Sequence, residues 1–431
     1  VTDGSLPNDP VSPTVEALTK VTASLPQGGE RRIGQELMAD AVAEAFVEHR
    51  HLIVQAGTGT GKSLAYLVPA AMLGKPVVIA TATKALQEQL ARRDLPVVAE
   101  QLGDIKTAVL KGRANYVCRQ RIAELEERGF QAALDDDDTG ASPKANERLA
   151  ESVRRIMAWE KTSSSGDRSE LGEDVSERAW SMVSTGPREC PGAFSCPQGS
   201  RCFAENARNE AAAADLIVIN LHLLGAHLAS QGVVLPEFDT VVIDEVHELE
   251  EVMTQSLGVD LTPGRLRTLG TLARQVVKAT GVADALELTG LGDALGEELA
   301  TFGDAEEVDL DDHEGLAGIL QQIDEATRRL LSSLRDVGES TDARVARAVS
   351  AATRLVEEVT TLRSAGPDDV LWVSGARASG SLVLSPIDVG PSLASGLFHN
   401  ATVVMTSATV PPHLSDRLGL DSDDVEVVDV G

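Results

Sequence analysis

The sequence predicts an α/β fold, a parallel sheet with flanking helices, interrupted by two long insertions. Three observations carry this reading. Short apolar runs alternate with helical stretches from residue 51 to residue 110, the rhythm of parallel strands joined by crossover helices. That rhythm stops and then returns at 216–220, 240–245 and 401–409. A glycine-rich loop, GTGTGKS at 57–63, runs directly from the first strand into the next helix.

The elements follow in order. Residues 1–28 are polar and Pro-containing and read as a flexible leader. From Arg32 the pattern turns helical, with Ile33, Leu37, Ala41 and Phe46 on a 3–4 spacing. HLIVQA (51–56) is a short buried strand, followed by a helix from Lys62 to about Met72, the strand PVVIATA, a helix from Lys84 to about Arg93, and a third strand, IKTAVL. Residues 131–170, with the acidic run Asp135 to Asp138, read as partly disordered or loop-rich. LIVIN and TVVIDE then resume the sheet. Residues 248–365 carry a helical pattern with acidic faces. From Val370 the pattern is strand–turn–strand, LWVSG then SLVLSP, before the last strand, ATVVMTSAT. This gives a leader (1–28), a sheet domain in three pieces (29–110, 211–247 and 369–431), a cysteine-bearing insertion (111–210) and a helical insertion (248–368).

At 431 residues the chain is long enough for two to four compact units, and 42% hydrophobic residues supply their cores. No run approaches the roughly 18 apolar residues of a membrane span, and no basic-then-apolar signal opens the chain, so the expected compartment is the cytoplasm. The net charge of −29 argues against a nucleic-acid partner only superficially. Residues 30–130 carry 14 basic and 12 acidic residues, so the acidic excess lies elsewhere. Local basic patches can still grip a nucleic-acid backbone.

Gly57, Thr58, Gly59, Thr60, Gly61, Lys62 and Ser63, preceded by Ala56 at the usual first-glycine position, form a phosphate-binding loop between strand and helix. Glycines let backbone N–H groups curl around phosphates, and the helix N-terminus adds positive potential. Lys62 is the expected phosphate contact and the Ser63 hydroxyl an expected Mg²⁺ ligand. Asp244-Glu245-Val246-His247 ends a strand. Adjacent acids at a strand end call for a nearby cation: Asp244 would hold Mg²⁺ and Glu245 would orient an attacking water. His247 would link the phosphate site to the nucleic-acid side. A nucleoside triphosphate is therefore the expected ligand; that it is ATP is what the resemblance described next implies.

In this set the sequence resembles the superfamily-two helicases, whose motor is a RecA-like P-loop NTPase sheet. The resemblance extends to Arg32 and Gln35, similar to the adenine-side motif. It extends to Thr81, Ala82, Thr83, Leu86 and Gln89, similar to a backbone-contacting motif. Ser407-Ala408-Thr409 is similar to the motif that couples hydrolysis to strand movement.

Cys118, Cys190, Cys196 and Cys202 form one distant and three close cysteines. In a reducing compartment four such thiols point to metal rather than disulfides. Their spacing admits a [4Fe–4S] cluster or a Cys₄ zinc site alike. Their layout, with Asn115-Tyr116-Val117 before the first, Asn220-Leu221-His222-Leu223-Leu224 after the last and DEVH beyond, resembles the DinG/XPD-like iron–sulfur helicases. Trp372 and Ser385-Pro386-Ile387-Asp388-Val389 fit the same resemblance. It implies a [4Fe–4S] cluster, a helical arch at 248–365, ATP-driven 5′ to 3′ translocation on single-stranded DNA, forked or partly duplex substrates, and a monomeric motor acting in repair or replication.

Lys111, Arg113, Arg119, Arg121, Arg188 and Arg201 cluster around the cysteines as candidate phosphate contacts, with Tyr116 and Phe194 as candidate stacking residues. No Q-x-x-G-R-x-x-R motif follows the SAT motif, so a second RecA-like domain is expected to be missing and these 431 residues to be inactive alone. Two rival readings are a nucleotide- and DNA-binding module without turnover and a zinc-stabilised P-loop ATPase acting on protein.

Overall fold

In the computed structural model, which describes residues 11–25, 29–128, 143–172, 175–338, 342–375, 380–421 and 423–431, the chain divides into two compact units. One comprises 1–110, 208–257 and 388–431, the other 111–207 and 258–387.

The first unit is built on a sheet of β1 (His51–Gln55), β2 (Val77–Thr81), β3 (Thr107–Val109), β4 (Leu216–Asn220), β5 (Thr240–Asp244) and two late strands. The second unit contributes β6 (Val259–Leu261), β7 (Glu306–Glu307), β8 (Asp369–Ser374) and β9 (Ser381–Pro386) to a separate sheet. The late strands of the first unit are β10 (Thr402–Ser407) and β11 (Val425–Asp429).

The seven-stranded sheet has the order β11-β1-β10-β5-β2-β4-β3, and every pairing in it is parallel. Its central strands β2, β5 and β10 are buried at every position, with apolar middles and polar residues at their ends, as expected of a parallel sheet covered on both faces. β10 separates β1 from β5, with Val54 opposite Thr406 on one side and Asp244 opposite Thr406 on the other.

The leader does not stay out of this unit. Pro13–Ala23 is a helix capped by Ser12, whose Oγ accepts from Val15 N at 3.1 Å. Val15, Leu18 and Val21 are buried, and Leu18 and Val21 belong to the same core as Met38, Phe46 and Tyr66. The spacing of three puts those residues on one helical face, which outweighs the polar composition around them.

In the second unit the cysteine-bearing segment has its own core, including Tyr116, Val117, Ile122, Val153, Ile156, Trp180 and Phe203. Part of the stretch read as loop is the helix Pro143–Glu160, whose buried Leu149, Val153 and Ile156 recur at four and three residues. The acidic run Asp135 to Asp138 lies outside the described residues.

Residues 258–365 are largely helical, as expected, with long helices at Val282–Leu299, Glu314–Arg335 and Ala343–Arg363. Residues 369–387 depart from the expected division. β8 and β9 pair antiparallel with each other, β9 with β6 and β8 with β7, closing a four-stranded sheet over the helices of this unit. The strand pattern was legible, but periodicity does not say which sheet a strand joins. The two insertions also form one unit rather than two. Arg347, on the helix Ala343–Arg363, makes a buried ion pair with Glu124 of the cysteine segment, and Arg188 pairs with Glu358 at 2.8 Å. Among the described residues no helix is long and apolar enough to cross a membrane.

Candidate active site and cysteine site

The phosphate loop leaves β1 at Ala56 and enters the helix Lys62–Met72. Gly59 and Gly61 have φ of 88° and 87°, a region in which side chains are strained. At Gly61 a Cβ would also stand 2.4 Å from Gln35 Nε2. Gln35 Nε2 donates to Gly61 O at 2.9 Å, Arg32 donates to Gly59 O, and Thr60 Oγ1 donates to Gly57 O at 2.7 Å. Arg32 and Gln35 thus brace the loop from the start of the preceding helix.

Across β10, β5 ends in Asp244 and the chain turns through Glu245, which has the left-handed φ of 60°. Such backbone is uncommon for a side-chain-bearing residue and often marks a functional position. The turn aims Glu245 back at the phosphate loop: Lys62 Nζ donates to Glu245 Oε1 at 3.0 Å. Ser407 Oγ, at the end of β10, lies 3.4 Å from Glu245 Oε2 and 2.9 Å from His247 Nδ1. The ring's Nε2 is 3.3 Å from Glu248 Oε1. Lys62, Glu245, His247 and Ser407 therefore form one continuous polar chain.

Asp244 is 4% exposed and sits deeper. Its Oδ2 accepts from Tyr66 Oη at 3.0 Å, and its Oδ1 from Thr406 Oγ1 at 2.9 Å and Glu245 N at 3.1 Å. Burial pushes its pKa up, opposed by the Thr406 hydrogen bond, the Lys62 charge and the Tyr66 hydrogen bond. A buried carboxylate with few countercharges is a suitable partner for a cation. Ser63 lies on the first turn of the helix that carries Lys62, where a hydroxyl can join it. The chemistry of this donor set fits Mg²⁺ bound with a nucleotide.

Tyr66 and Thr406 were not singled out from the sequence. Their only signal is that a buried tyrosine hydroxyl needs a partner. Of the backbone-contacting motif, Thr83 Oγ1 caps the helix Lys84–Gln89 by accepting from Leu86 N at 3.2 Å. Thr81 is buried and donates to Ile219 O at 3.4 Å. Gln89 is exposed and reaches Asp94 at 3.4 Å.

In the second unit Cys118, Cys190, Cys196 and Cys202 are all unpaired by disulfides and partly exposed. They share one electrostatic neighbourhood: Cys118 feels Cys190 and Cys196, and Cys196 feels Cys190 and Cys202. Burial pushes the Cys118 thiol up to about 11 and raises Cys196 as well. The loop is tight, since a Cβ on Gly199 would lie 1.9 Å from Ala193 O. Four thiols are a donor set suited to a [4Fe–4S] cluster or zinc. Among the described residues, however, no three His, Cys, Asp or Glu side chains stand in an arrangement that holds a metal ion.

The basic residues around the cysteines are engaged internally. Lys111 pairs with Asp167 at 2.6 Å, Arg113 with Glu205 at 2.9 Å, Arg119 with Glu160 at 2.6 Å and Arg121 with Glu124 at 3.6 Å. Arg188 is held by Glu358, while Arg201 is exposed and donates to Gln198 Oε1 at 2.7 Å. Tyr116 is no stacking platform: it is 4% exposed, packs in the core, and its hydroxyl accepts from Lys111 N at 3.2 Å. Phe194 is fully exposed.

Residues 36–126 match the DEAD/DEAH box helicase family. The chain is 44% identical over 277 residues to the ATP-dependent helicase DinG of Mycobacterium tuberculosis, an overlap covering 61% of this chain and 40% of the relative. It is 35% identical over 287 residues to the ATP-dependent DNA helicase YoaA of Escherichia coli, covering 64% and 42%. It is 30% identical over 266 residues to the 3'-5' exonuclease DinG of Bacillus subtilis, covering 59% and 27%. The chain thus spans about two fifths or less of the length of these relatives. The phosphate loop and DEVH turn face each other across β10, and over the matched segments the chain is similar to DinG-like helicases.

Proposed function

We propose that the chain binds Mg–ATP at the C-terminal ends of the inner strands of its seven-stranded sheet and serves as the first motor domain of an ATP-dependent DNA helicase. The observation that carries this reading is the convergence of Lys62, Asp244, Glu245 and Ser407, from three separated segments, at those strand ends. Bound Mg²⁺ supplies charge neutralisation for the nucleotide phosphates.

The protein's own residues do the rest. Lys62 exchanges Glu245 for phosphate oxygens, and the released Oε1 is then free to accept from a water and orient it for attack. His247 and Ser407 relay a change at Glu245 to the end of β10. Translocation on single-stranded DNA with 5′ to 3′ polarity, and action on forked or partly duplex DNA, follow from the family resemblance and from the relatives named as DNA helicases. The internal pairing of most basic residues near the cysteines leaves Arg201 and Phe194 as the contacts favoured in that unit.

For the cysteines the proposed group is a [4Fe–4S] cluster, supported by the four-thiol donor set and the resemblance. When bound, the group cross-links two segments separated by 71 residues of sequence. Cys118 anchors the first segment and Cys190, Cys196 and Cys202 the second. Anaerobically purified protein is expected to contain iron and absorb near 400 nm, and Ser at any one of the four positions to bleach it. One zinc and no iron would make this a zinc site.

The motor reading is tested by ATP turnover, with and without single-stranded DNA, in a protein carrying both RecA-like domains. Glu245→Gln is expected to retain nucleotide binding and lose turnover. Turnover at the parental rate in that variant removes Glu245 from the chemistry. Turnover insensitive to DNA favours a protein-directed ATPase instead.

A further inference from the structure

We infer that Tyr66 and Thr406 are positioning residues that fix the direction in which Asp244 presents its remaining lone pair to magnesium. The inference rests on the nucleotide site proposed above and concerns two residues outside its recognised motifs.

An ionised carboxylate offers about four acceptor directions. Three of those of Asp244 are taken: Thr406 Oγ1 and Glu245 N donate to Oδ1 at 2.9 and 3.1 Å, and Tyr66 Oη donates to Oδ2 at 3.0 Å. Donors bind both oxygens, so the carboxylate plane cannot turn without breaking at least one bond. The single direction left is on Oδ2.

The three donors come from different elements. Tyr66 stands one turn beyond Lys62 on the phosphate-loop helix, Thr406 immediately precedes Ser407 on β10, and Glu245 N belongs to the DEVH turn. Tyr66 and Thr406 are both fully buried, so no water competes for these bonds. Hydrogen bonds to a charged acceptor in such surroundings are the strong ones. Asp244 is therefore aimed jointly by the helix that carries Lys62 and the strand that carries Ser407; Tyr66→Phe keeps the ring while deleting its hydroxyl contacts with Asp244 and Ser63, and Thr406→Val deletes a contact on the other carboxylate oxygen.

The test is binding of a fluorescent (methylanthraniloyl) ADP to the 431-residue chain, titrated with Mg²⁺ and repeated in EDTA. In Tyr66→Phe and Thr406→Val, nucleotide affinity in EDTA should match the parent, whereas the Mg²⁺ needed for half-maximal enhancement should rise about tenfold. Thr406→Ser, which restores the hydroxyl, should return it to the parental value. An unchanged Mg²⁺ requirement in both hydroxyl-less variants, or failure of Thr406→Ser to differ from Thr406→Val, overturns the inference. If Tyr66→Phe loses nucleotide binding in EDTA as well, the Thr406→Val and Thr406→Ser pair decides alone. Lys62→Ala separates the two layers of argument: parental binding by that variant refutes the nucleotide site itself, whereas its loss beside an Mg²⁺-insensitive Tyr66→Phe refutes only the positioning role.

Discussion

The two units hold their key side chains by different means. In the first, backbone conformation does the placing: left-handed glycines at 59 and 61 and a left-handed Glu245 aim the phosphate loop and the DEVH turn at each other from strand ends on either side of β10. In the second, side-chain pairs do it. The cysteine segment and the helical segment are joined by the buried Glu124–Arg347 pair and by Arg188 with Glu358. Conformational placement is encoded in a few consecutive residues and can be read as a motif. Placement by ion pairs depends on residues more than 150 positions apart, none of which has a distinctive local pattern.

The strongest way to break this contrast is at Arg347. Its side chain is 6% exposed and that of Glu124 is 8% exposed, so removing Arg347 leaves a buried carboxylate with only the longer contact to Arg121, at 3.6 Å, as countercharge. Arg347→Met should destabilise the second unit by about 3 kcal/mol, the low end for a broken buried pair because Arg121 remains, and adding both Glu124→Leu and Arg121→Met should recover most of the loss. Trp159, Trp180 and Trp372 all belong to this unit. Urea unfolding followed by tryptophan fluorescence therefore reads it selectively. A loss below about 1 kcal/mol, the range of exposed pairs, would remove the buried pair from its structural role.

Gly61→Ala sharpens the other side of the comparison. The left-handed backbone costs an alanine roughly 1–2 kcal/mol, and the new Cβ meets Gln35 Nε2. The variant should lose nucleotide binding by at least about tenfold while the tryptophan-reported transition stays where it was. Parental nucleotide binding would show that the loop does not depend on this conformation.

The smallest effect belongs to Ser12→Ala, which removes the cap of the helix Pro13–Ala23. A loss of about 1 kcal/mol is expected, read by hydrogen exchange at the amides of β1. No change there would return residues 13–23 to the status of a leader.

The sequence made the motor sheet legible wherever a strand is buried on both sides, as in β1, β2, β4, β5 and β10. β11 was missed because VEVVD is a short edge strand without a regular apolar alternation, its Val427 lying 63% exposed. β7 was missed because two consecutive glutamates carry no strand signal. At the site, Lys62, Asp244 and Glu245 come together as the motifs imply. Tyr66 and Thr406 were invisible because their role is a pairing across three elements rather than a spacing along one. Tyr116 was misread for the converse reason. An aromatic beside a basic cluster looks like a stacking residue until the core around Trp180 and Phe203 is seen to enclose it.

The sheet order carries a consequence for how the protein is made. β10 is the strand that joins β1 to β5, yet it is synthesised more than 150 residues after the DEVH turn. A nascent chain that has emerged through His247 already owns both catalytic loops but lacks the strand that sets them side by side. Until residues 402–407 leave the ribosome, β1 has no neighbour in that half of the sheet and must wait with its apolar faces uncovered. Contacts so distant in sequence close slowly, and exposed strand edges in the interim invite association. Nucleotide binding should therefore switch on late in translation, within the last few dozen residues of this segment, rather than when the phosphate loop first appears.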